Sequence, residues 1–581
     1  MKKFLLCFIL SISFNFYSQT PSFEWAHHFG NTAAILVYDN ITDASGNVYI
    51  TGEYSGTIDF DPGSGTAMQT SNGSGNDIFI LKLSASGSYV WVKTYGGTGI
   101  DLGQRLAVDN AGNVYVGGRF QNSFSFGSLG TVSSGGGYDG FLLKMDTNGN
   151  PLWFRTAVSS GNDFFTGVDV DSSGNVYACG SYTQALTLGS GYSWGISASG
   201  TYDYFVAKFD SNGTILYAYP FGNGYDDIAY NLKLSNDESR FAVCGEFRAS
   251  VDFDPSSSNY TLFSLNGSYT SAFVQVLNAS YGYLIYAKRF GSTSSANQAF
   301  ELAFDSQNNI HIVGRFAGST GYFDYPSNPA SSYLANSNGG SGFDGYVVKY
   351  NANGAFVWVK SFQGIGSGTN EQATCVSVDV SDNVYVAGTF NSFGGMDLDP
   401  SSTTVSAPNY GSTSGTSDIF LVSLNSAGNY LWGYSYTNSN NNDNIWALTV
   451  DSNYNLIASG YFNSTQIDID PLSSAGNQLI TGNTNGSNDI FITKLSQATL
   501  MNDNFAKNEG IIYYPNPVKD IFIFESNEEI ASVELFTLSG SKINTEIRNN
   551  SIDISHLQSG MYIVKAITFD GKQFTNKIIK K

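Results

Sequence analysis

The sequence predicts an all-β chain: a seven-bladed β-propeller closed by the N-terminal strand, followed by a small β-sandwich. The first supporting observation is a motif repeated seven times: GNVYITG (46–52), GNVYVGG (112–118), GNVYACG (174–180), SRFAVCG (239–245), NNIHIVG (308–314), DNVYVAG (382–388) and YNLIASG (454–460). Its closing glycines, Gly52, Gly118, Gly180, Gly245, Gly314, Gly388 and Gly460, lie 62 to 74 residues apart. A period of that length, made wholly of short strand patterns, marks a radial array of sheets. The second observation is a strand column that lacks its last member at the end of the array and has a spare one at the start.

Each repeat reads as four strands. The first is apolar, as in QRLAVD (104–109) or ATCVSVD (373–379), and a D-x-x-G-N turn follows, as in DASGN (43–47), DNAGN (109–113) and DSSGN (171–175), which suits a hairpin. The repeat motif is the second strand. The third carries an aromatic column, Phe79, Phe141, Phe205, Phe273, Tyr346, Phe420 and Phe491, usually as D-x-F-hydrophobic-x-K. The fourth, typified by YVWVKTYG (89–96), carries Trp91, Trp153, Tyr217, Tyr286, Trp358 and Trp432. No such strand follows the seventh repeat, which ends at DIFITKLS (489–496), but FEWAHHFG (23–30) places Trp25 in the missing position. Pairing that segment onto the last sheet removes two exposed sheet edges, which proteins avoid. The aromatic columns are expected to fill the wedges between sheets, and the repeat glycines to permit close backbone approach where sheets converge.

The composition agrees: charged residues are 13%, aromatics 15%, and there are 64 glycines among 581 residues. Residues 1–18 read as a signal peptide, with Lys2 and Lys3 before an apolar run from Phe4 to Phe14, and cleavage is expected near Ser18 or Gln19. Neither that run nor any later one is long enough to span a bilayer. After cleavage Cys179, Cys244 and Cys375 remain, too few for a disulfide framework. Cys179 and Cys244 share a column, so the readings are a bridge or small buried hydrophobes. The net charge is −21, and the stretch from 19 to 510 holds 17 basic and 40 acidic residues. Such a surface repels nucleic acid and anionic membranes. It leaves cations, cationic ligands, neutral glycans or proteins as partners.

The motif VDxxGNVYVxGxF resembles the seven-bladed β-propeller repeat family of bacterial proteins and, more distantly, NHL-type propellers. The resemblance covers residues 20 to 497 and implies a general binding scaffold without a particular activity. The fourth repeat departs most, with SNDESRFAVCG in place of the Gly-Asn turn and Ser271 for the usual third-strand Asp.

Residues 498–510 are polar and read as a linker. From 511 to 581 short alternating strands argue for a β-sandwich. This stretch resembles the C-terminal sorting domain of type IX secretion cargo in Bacteroidetes-type bacteria. The matching residues are Tyr514, Pro515, Asn516 and Pro517, then Leu538-Ser539-Gly540, Gly560-Met561-Tyr562 and the basic end from Lys577 to Lys581. The resemblance implies export across the outer membrane by the secretion machinery after a signal-peptide step, ending in release or display at the cell surface.

Two acidic sets are candidate binding groups. One lies eight residues before the turn Asp: Asp101, Asp163, Asp227, Asn297, Glu371 and Asp443, with Ile35 the odd member. It reads as a channel-mouth ring or as solvated strand starts. The other is D-x-D-P: Asp59 and Asp61, Asp252 and Asp254, Asp397 and Asp399, Asp468 and Asp470, with a remnant at Asp324. Paired carboxylates suit calcium, which takes about 6–8 oxygens; equally, Asp starts a turn and Pro fixes its φ. No catalytic set is assigned. GYSWG (191–195) matches G-x-S-x-G around Ser193 by chance, in a chain without the strand-to-helix elbow it needs. His27, His28, His311 and His556 lack zinc spacing.

The leading expectation is a secreted or surface-displayed binding scaffold. One alternative is an extracellular carbohydrate-active hydrolase or lyase with acid and base drawn from the carboxylates. The other is a structural surface component.

Overall fold

The computed structural model describes residues 21–580 except 31–33, 190–191, 196–200, 319, 326–341, 366–369, 393, 402–404, 408–415, 437–440, 464–465, 471–478, 483–486, 497–510, 515–517, 527–529, 538–540, 544, 546, 549, 559 and 570–572. The chain separates into two compact units, residues 1–498 and 499–581.

In the first unit the described residues form seven four-stranded antiparallel sets. Their innermost strands are Ile35–Thr42, Leu102–Val108, Asp163–Val170, Ile228–Leu234, Gln298–Phe304, Glu371–Val378 and Asp443–Val450. Each innermost strand touches the next, and the last touches the first, so the sheets close a ring and the unit is a β-propeller. No single sheet runs round it. The first and second sets share only the short pairing of Gly96 and Gly97 with Ser125 and Phe124.

Ring closure is made by Ser22–Phe29, which pairs antiparallel with Asp489–Ser496 and supplies the fourth strand of the last sheet. Trp25 lies opposite Lys494, as Trp91 lies opposite Lys82 and Trp153 opposite Lys144. The third-strand column Phe79, Phe141, Phe205, Phe273, Tyr346, Phe420 and Phe491 is buried to 1% exposure or less. These rings pack between sheets, as Phe362 against Phe420 (5.2 Å) and Tyr204 against Phe273 (5.2 Å).

Every innermost strand carries a β-bulge, at Tyr38, Gln104, Thr166, Tyr230, Phe300, Thr374 and Trp446. The bulge explains the repeat glycines. It drives the innermost-strand carbonyl toward the second strand, so that a Cβ on Gly52 would lie 1.9 Å from Leu36 O and one on Gly388 1.9 Å from Gln372 O. The close approach is therefore within each sheet, rather than between converging sheets as the spacing suggests. The bulge also frees side chains to satisfy the unpaired inner edge of the neighbouring sheet. Asp39 accepts from Leu106 N (2.7 Å), Asp169 from Leu234 N (2.8 Å) and Glu301 from Val376 N (3.2 Å). Thr374 and Thr449 donate to Ile445 O and Asn40 O (2.9 and 2.8 Å).

Cys179, Cys244 and Cys375 are free and fully buried, which settles for small hydrophobes over a bridge. Burial pushes the Cys179 thiol up to about 12.

The second unit has two four-stranded sheets, with Ile521–Ser526 and Ser551–Asp553 central in one and Ile530–Thr537 and Gly560–Thr568 in the other. Phe522, Leu535, Ile552, Ile554, Val564 and Ile578 form its core. Among the described residues no helix is long and apolar enough to cross a membrane.

Candidate functional site

The face on which the innermost strands begin collects the first acidic column, but not as an open ring. Asp101, Asp163, Asp227, Asn297, Glu371 and Asp443 are all fully buried, in the seams between consecutive sheets. The backbone explains why. Asp101 N donates to Asn76 O (2.8 Å), Asp227 N to Tyr202 O (2.7 Å), Asn297 N to Thr270 O (3.2 Å) and Asp443 N to Ser417 O (2.9 Å), tying each strand start to the preceding sheet.

The side chains then gather orphan amides. Asp101 accepts from Gly97 N and Gln121 N, both at 2.9 Å. Asp227 accepts from Asn223 N (2.8 Å) and Arg248 N (3.0 Å), and Asp163 from Ser159 Oγ (2.9 Å). Asp443 accepts from Asn463 N at 3.3 Å. Three seams bring in a second carboxyl from the third strand: Asp77 beside Asp101, Asp139 beside Asp163 and Asp203 beside Asp227. Burial, then the neighbouring carboxyl, pushes Asp101 up to about 7 and Asp227 to about 8 against the backbone hydrogen bonds that lower them. In the seam where Ser271 replaces the third-strand Asp, the partner is the neutral Asn297, which accepts from Ser292 N (2.8 Å) and donates to Thr270 O (2.9 Å). The two positions of that seam lose their charge together.

The D-x-D-P carboxylates sit in hairpins between the second and third strands. Asp59 Oδ1 accepts from Asp61 N (3.1 Å) and Ala67 N (2.7 Å), and Asp61 Oδ1 from Gly63 N (2.8 Å). Asp252 takes Asp254 N (3.1 Å) and Tyr260 N (2.8 Å), and Asp254 takes Ser256 N (2.9 Å). Asp397 takes Asp399 N (3.1 Å) and Val405 N (2.9 Å), Asp399 takes Ser401 N (2.9 Å), and Asp468 takes Asp470 N (3.1 Å). The middle residues Phe60, Phe253, Leu398 and Ile469 are buried to 2% or less and anchor each hairpin in a sheet core. Among the described residues no three His, Cys, Asp or Glu side chains come together as a metal group. Ser193 lies on the hairpin strand Tyr192–Trp194, 3.4 Å from Thr187 Oγ1, with no elbow.

At the bulge and just after the repeat glycine this face carries the part-exposed Tyr38, Gln104, Arg119, Tyr230, Phe300, Arg315, Trp446 and Tyr461, beside buried Glu53 and Glu246. Tyr38 OH donates to Glu53 Oε1 at 2.8 Å, and Tyr230 OH donates to Glu246, so burial and then those carboxylates hold both phenols well above their usual range. Gln298 Nε2 donates to Tyr230 OH (3.0 Å), and Arg315 donates to Gln298 Oε1 (2.7 Å) and Gln372 Oε1 (3.3 Å). Arg315 also lies over Phe343 (4.3 Å) and Phe300 (5.6 Å). Beside it opens a cleft of about 220 Å³, lined chiefly by Arg315, Phe343, Gln372, Asn391, Asn442 and Asn444. Glu371 contributes to its wall but is fully buried. Across the face, Arg119 lies between Tyr138 (4.6 Å) and Phe164 (4.7 Å). The acidic pattern did not point to these residues. The signal that could have found them is the irregularity of the position after the repeat glycine, which reads Glu53, Arg119, Ser181, Glu246, Arg315, Thr389 and Tyr461.

In the second unit Tyr514 ends Ile511–Tyr514, Gly560 begins Gly560–Thr568, and Tyr562 OH donates to Gln558 O at 2.8 Å. Pro515, Asn516, Pro517 and Gly540 lie outside the described residues, as does the expected signal peptide.

A WD repeat-containing protein of Acanthamoeba polyphaga mimivirus, itself uncharacterised, is 23% identical over 389 residues, 58% of this chain. The match spans 28% of that relative's length. Hydrazine synthase of Kuenenia stuttgartiensis aligns over 77% of this chain and 95% of its own at 9% identity and a TM-score of 0.38. The quinohemoprotein alcohol dehydrogenase of Comamonas testosteroni aligns over 86% and 79% at 10% identity and 0.37. Sqt1 of Chaetomium thermophilum aligns over 82% and 98% at 9% identity and 0.35. Residues 512–581 match the model of the secretion system C-terminal sorting domain. The chain is thus a β-propeller carrying a type IX secretion system C-terminal sorting domain, a tail that points to secretion or export to the cell surface.

Proposed function

We propose that this is an exported, non-enzymatic binding scaffold whose propeller takes a glycan in the cleft beside Arg315. The supporting observation is the chemistry of that cleft. Its polar lining is mainly amide and hydroxyl, from Gln372, Asn391, Ser417, Asn442 and Asn444, with Phe343 as an aromatic face. Neutral donors and acceptors around one ring match a sugar's hydroxyls and apolar face better than a cation or a nucleotide. In this reading residues 1–18 direct the inner-membrane step, the tail engages the secretion machinery, and the propeller works outside the cell.

The test is retention of the purified full chain on an insoluble-polysaccharide panel, with reducing ends assayed in parallel. Capture without new reducing ends, weakened at least about tenfold in Asn444→Ala, is expected. Reducing ends that disappear in Glu371→Gln would transfer the protein to the carbohydrate-active enzymes. No capture on any polysaccharide would leave a structural surface component.

A further inference from the structure

We infer that the rim between the second and third sheets is a second subsite, built around Arg119, for a carboxylate carried on a sugar ring. The inference rests on the glycan reading and adds the ligand's chemical class: an acidic glycan containing uronate residues.

Arg119 stands apart from five other arginines of the propeller. Arg105, Arg155, Arg240, Arg248 and Arg315 each donate to a carbonyl or amide oxygen, as Arg155 does to Gly213 O (2.6 Å) and Arg240 to Ala352 O (2.7 Å). Among the described residues the Arg119 guanidinium donates no hydrogen bond and joins no ion pair, and its Nε is buried without a partner. The nearby carboxyls make no ion pair with it: Asp163 Oδ1 accepts from Ser159 Oγ (2.9 Å), Asp226 Oδ1 from Tyr202 N (3.0 Å) and Glu53 Oε1 from Tyr38 OH (2.8 Å), while Asp163 Oδ2 and Glu53 Oε2 are buried without a partner among the described residues. A planar cation desolvated on one edge and left without a counter-charge is costly unless something supplies one. Its two-pronged geometry selects a carboxylate.

The aromatic surroundings give the rest of the recognition. Tyr138 and Phe164 hold the guanidinium between them at 4.6 and 4.7 Å. Tyr138, Phe164 and Tyr202 then form a half-buried row with centroid spacings of 6.3 and 5.8 Å. A pyranose laid on this row brings an apolar face onto the rings while its C5 carboxylate meets the arginine. Arg315, in the same repeat position, differs in that its Nε and Nη1 already donate to Gln298 and Gln372.

The test is calorimetric titration of the full chain with trigalacturonate and with its neutral methyl ester, at low and high salt. The acid is expected to bind at least about tenfold more tightly than the ester at low salt. Arg119→Gln should bring it to the ester's affinity, and Arg119→Lys should recover only part of the loss. Unchanged melting of Arg119→Gln would confirm that the fold is intact. Equal binding of acid and ester, or acid binding that Arg119→Gln leaves intact, overturns the subsite. If ester binding persists and falls in Asn444→Ala, the glycan cleft stands without it; if neither ligand binds, both readings fail for this sugar class.

Discussion

Trp25 and Lys494 face each other across the closing strand pair and donate to one carbonyl, Ala85 O, at 3.2 and 2.9 Å. The same clamp joins other neighbours within continuous chain: Trp153 and Lys144 both reach Ser211 O (3.0 and 3.1 Å), and Trp358 and Lys349 both reach Ser426 O (3.2 Å each). At the closure its halves come from opposite ends of the propeller. In the fourth sheet, where Val276 stands for the lysine, Arg240 reaches the next sheet's turn instead, at Ala352 O.

Trp25→Ala should therefore cost about 2–4 kcal/mol, from lost burial and the loss of one of the two donors to Ala85 O. Removing residues 21–30 exposes the edge of Asp489–Ser496 and should abolish the single cooperative transition in calorimetry. A truncated chain that melts as the intact one does would rule out the ring.

The seam carboxyls predict an unusual pH profile. Asp77, Asp101 and Asp227 are pushed by burial up to about 6, 7 and 8; Asp139 is raised by burial, and Asp163 by burial and then by the neighbouring Asp139. Their folded values exceed the unfolded value near 3.9, so their stabilisation is complete below about pH 4 and lost as pH rises through about 6 to 8. His311 works the other way: burial lowers it, so its contribution falls as pH drops below about 6.5. Asp305, held well below its usual range by hydrogen bonds from His311, Asn309 and Lys349 that outweigh its burial, acts below that window. The carboxyls are the more numerous, so the melting temperature should rise by a few degrees between pH 8 and pH 5.5. Asp227→Asn, which copies the natural Asn297, should flatten the slope. Asp227→Ala should cost about 2–3 kcal/mol by leaving Asn223 N and Arg248 N unmet.

The ring and its closure were legible because they depend on counting: seven glycines, six outer aromatics, and Trp25. The fate of the acidic columns was not. Asp101 is turned inward by the tie of its N–H to Asn76 O and by the amides of Gly97 and Gln121, contacts with the rest of the seam that no residue type announces, just as none announces a bulge when the seven positions read Tyr38, Gln104, Thr166, Tyr230, Phe300, Thr374 and Trp446. The repeat positions of Arg119 and Arg315 were equally visible, but their difference lies in partners that only packing reveals.

The first hairpin turn gives a paired prediction. Its left-handed position is glycine in the first three sheets, for example Gly112 at φ 81°, but Glu238, Asn308, Asp382 and Tyr454 in the others, at 56° to 65°. Asp382 offsets its strain by accepting from Ser306 N (2.8 Å) and Ser306 Oγ (2.9 Å) of the preceding sheet, whereas Tyr454 gains only a 3.5 Å contact with Ser381 Oγ. Tyr454→Gly should stabilise by up to about 1 kcal/mol, and Asp382→Gly should destabilise despite the same relief. Denaturant midpoints of the two variants moving in one direction would show that strain alone governs the turn.

The hairpin carboxylates make the last prediction. A bound calcium would have to share Asp252 Oδ1 with the amides of Asp254 and Tyr260, and no third carboxylate stands by among the described residues. Turn closure alone predicts equal melting temperatures in chelator and in millimolar calcium. It also predicts that Asp252→Ala costs about 1–2 kcal/mol in both, since the two amides lose their acceptor while Phe253 stays anchored. A calcium-dependent rise in melting temperature that Asp252→Ala removes would instead make these hairpins cation sites, with backbone carbonyls supplying the remaining oxygens.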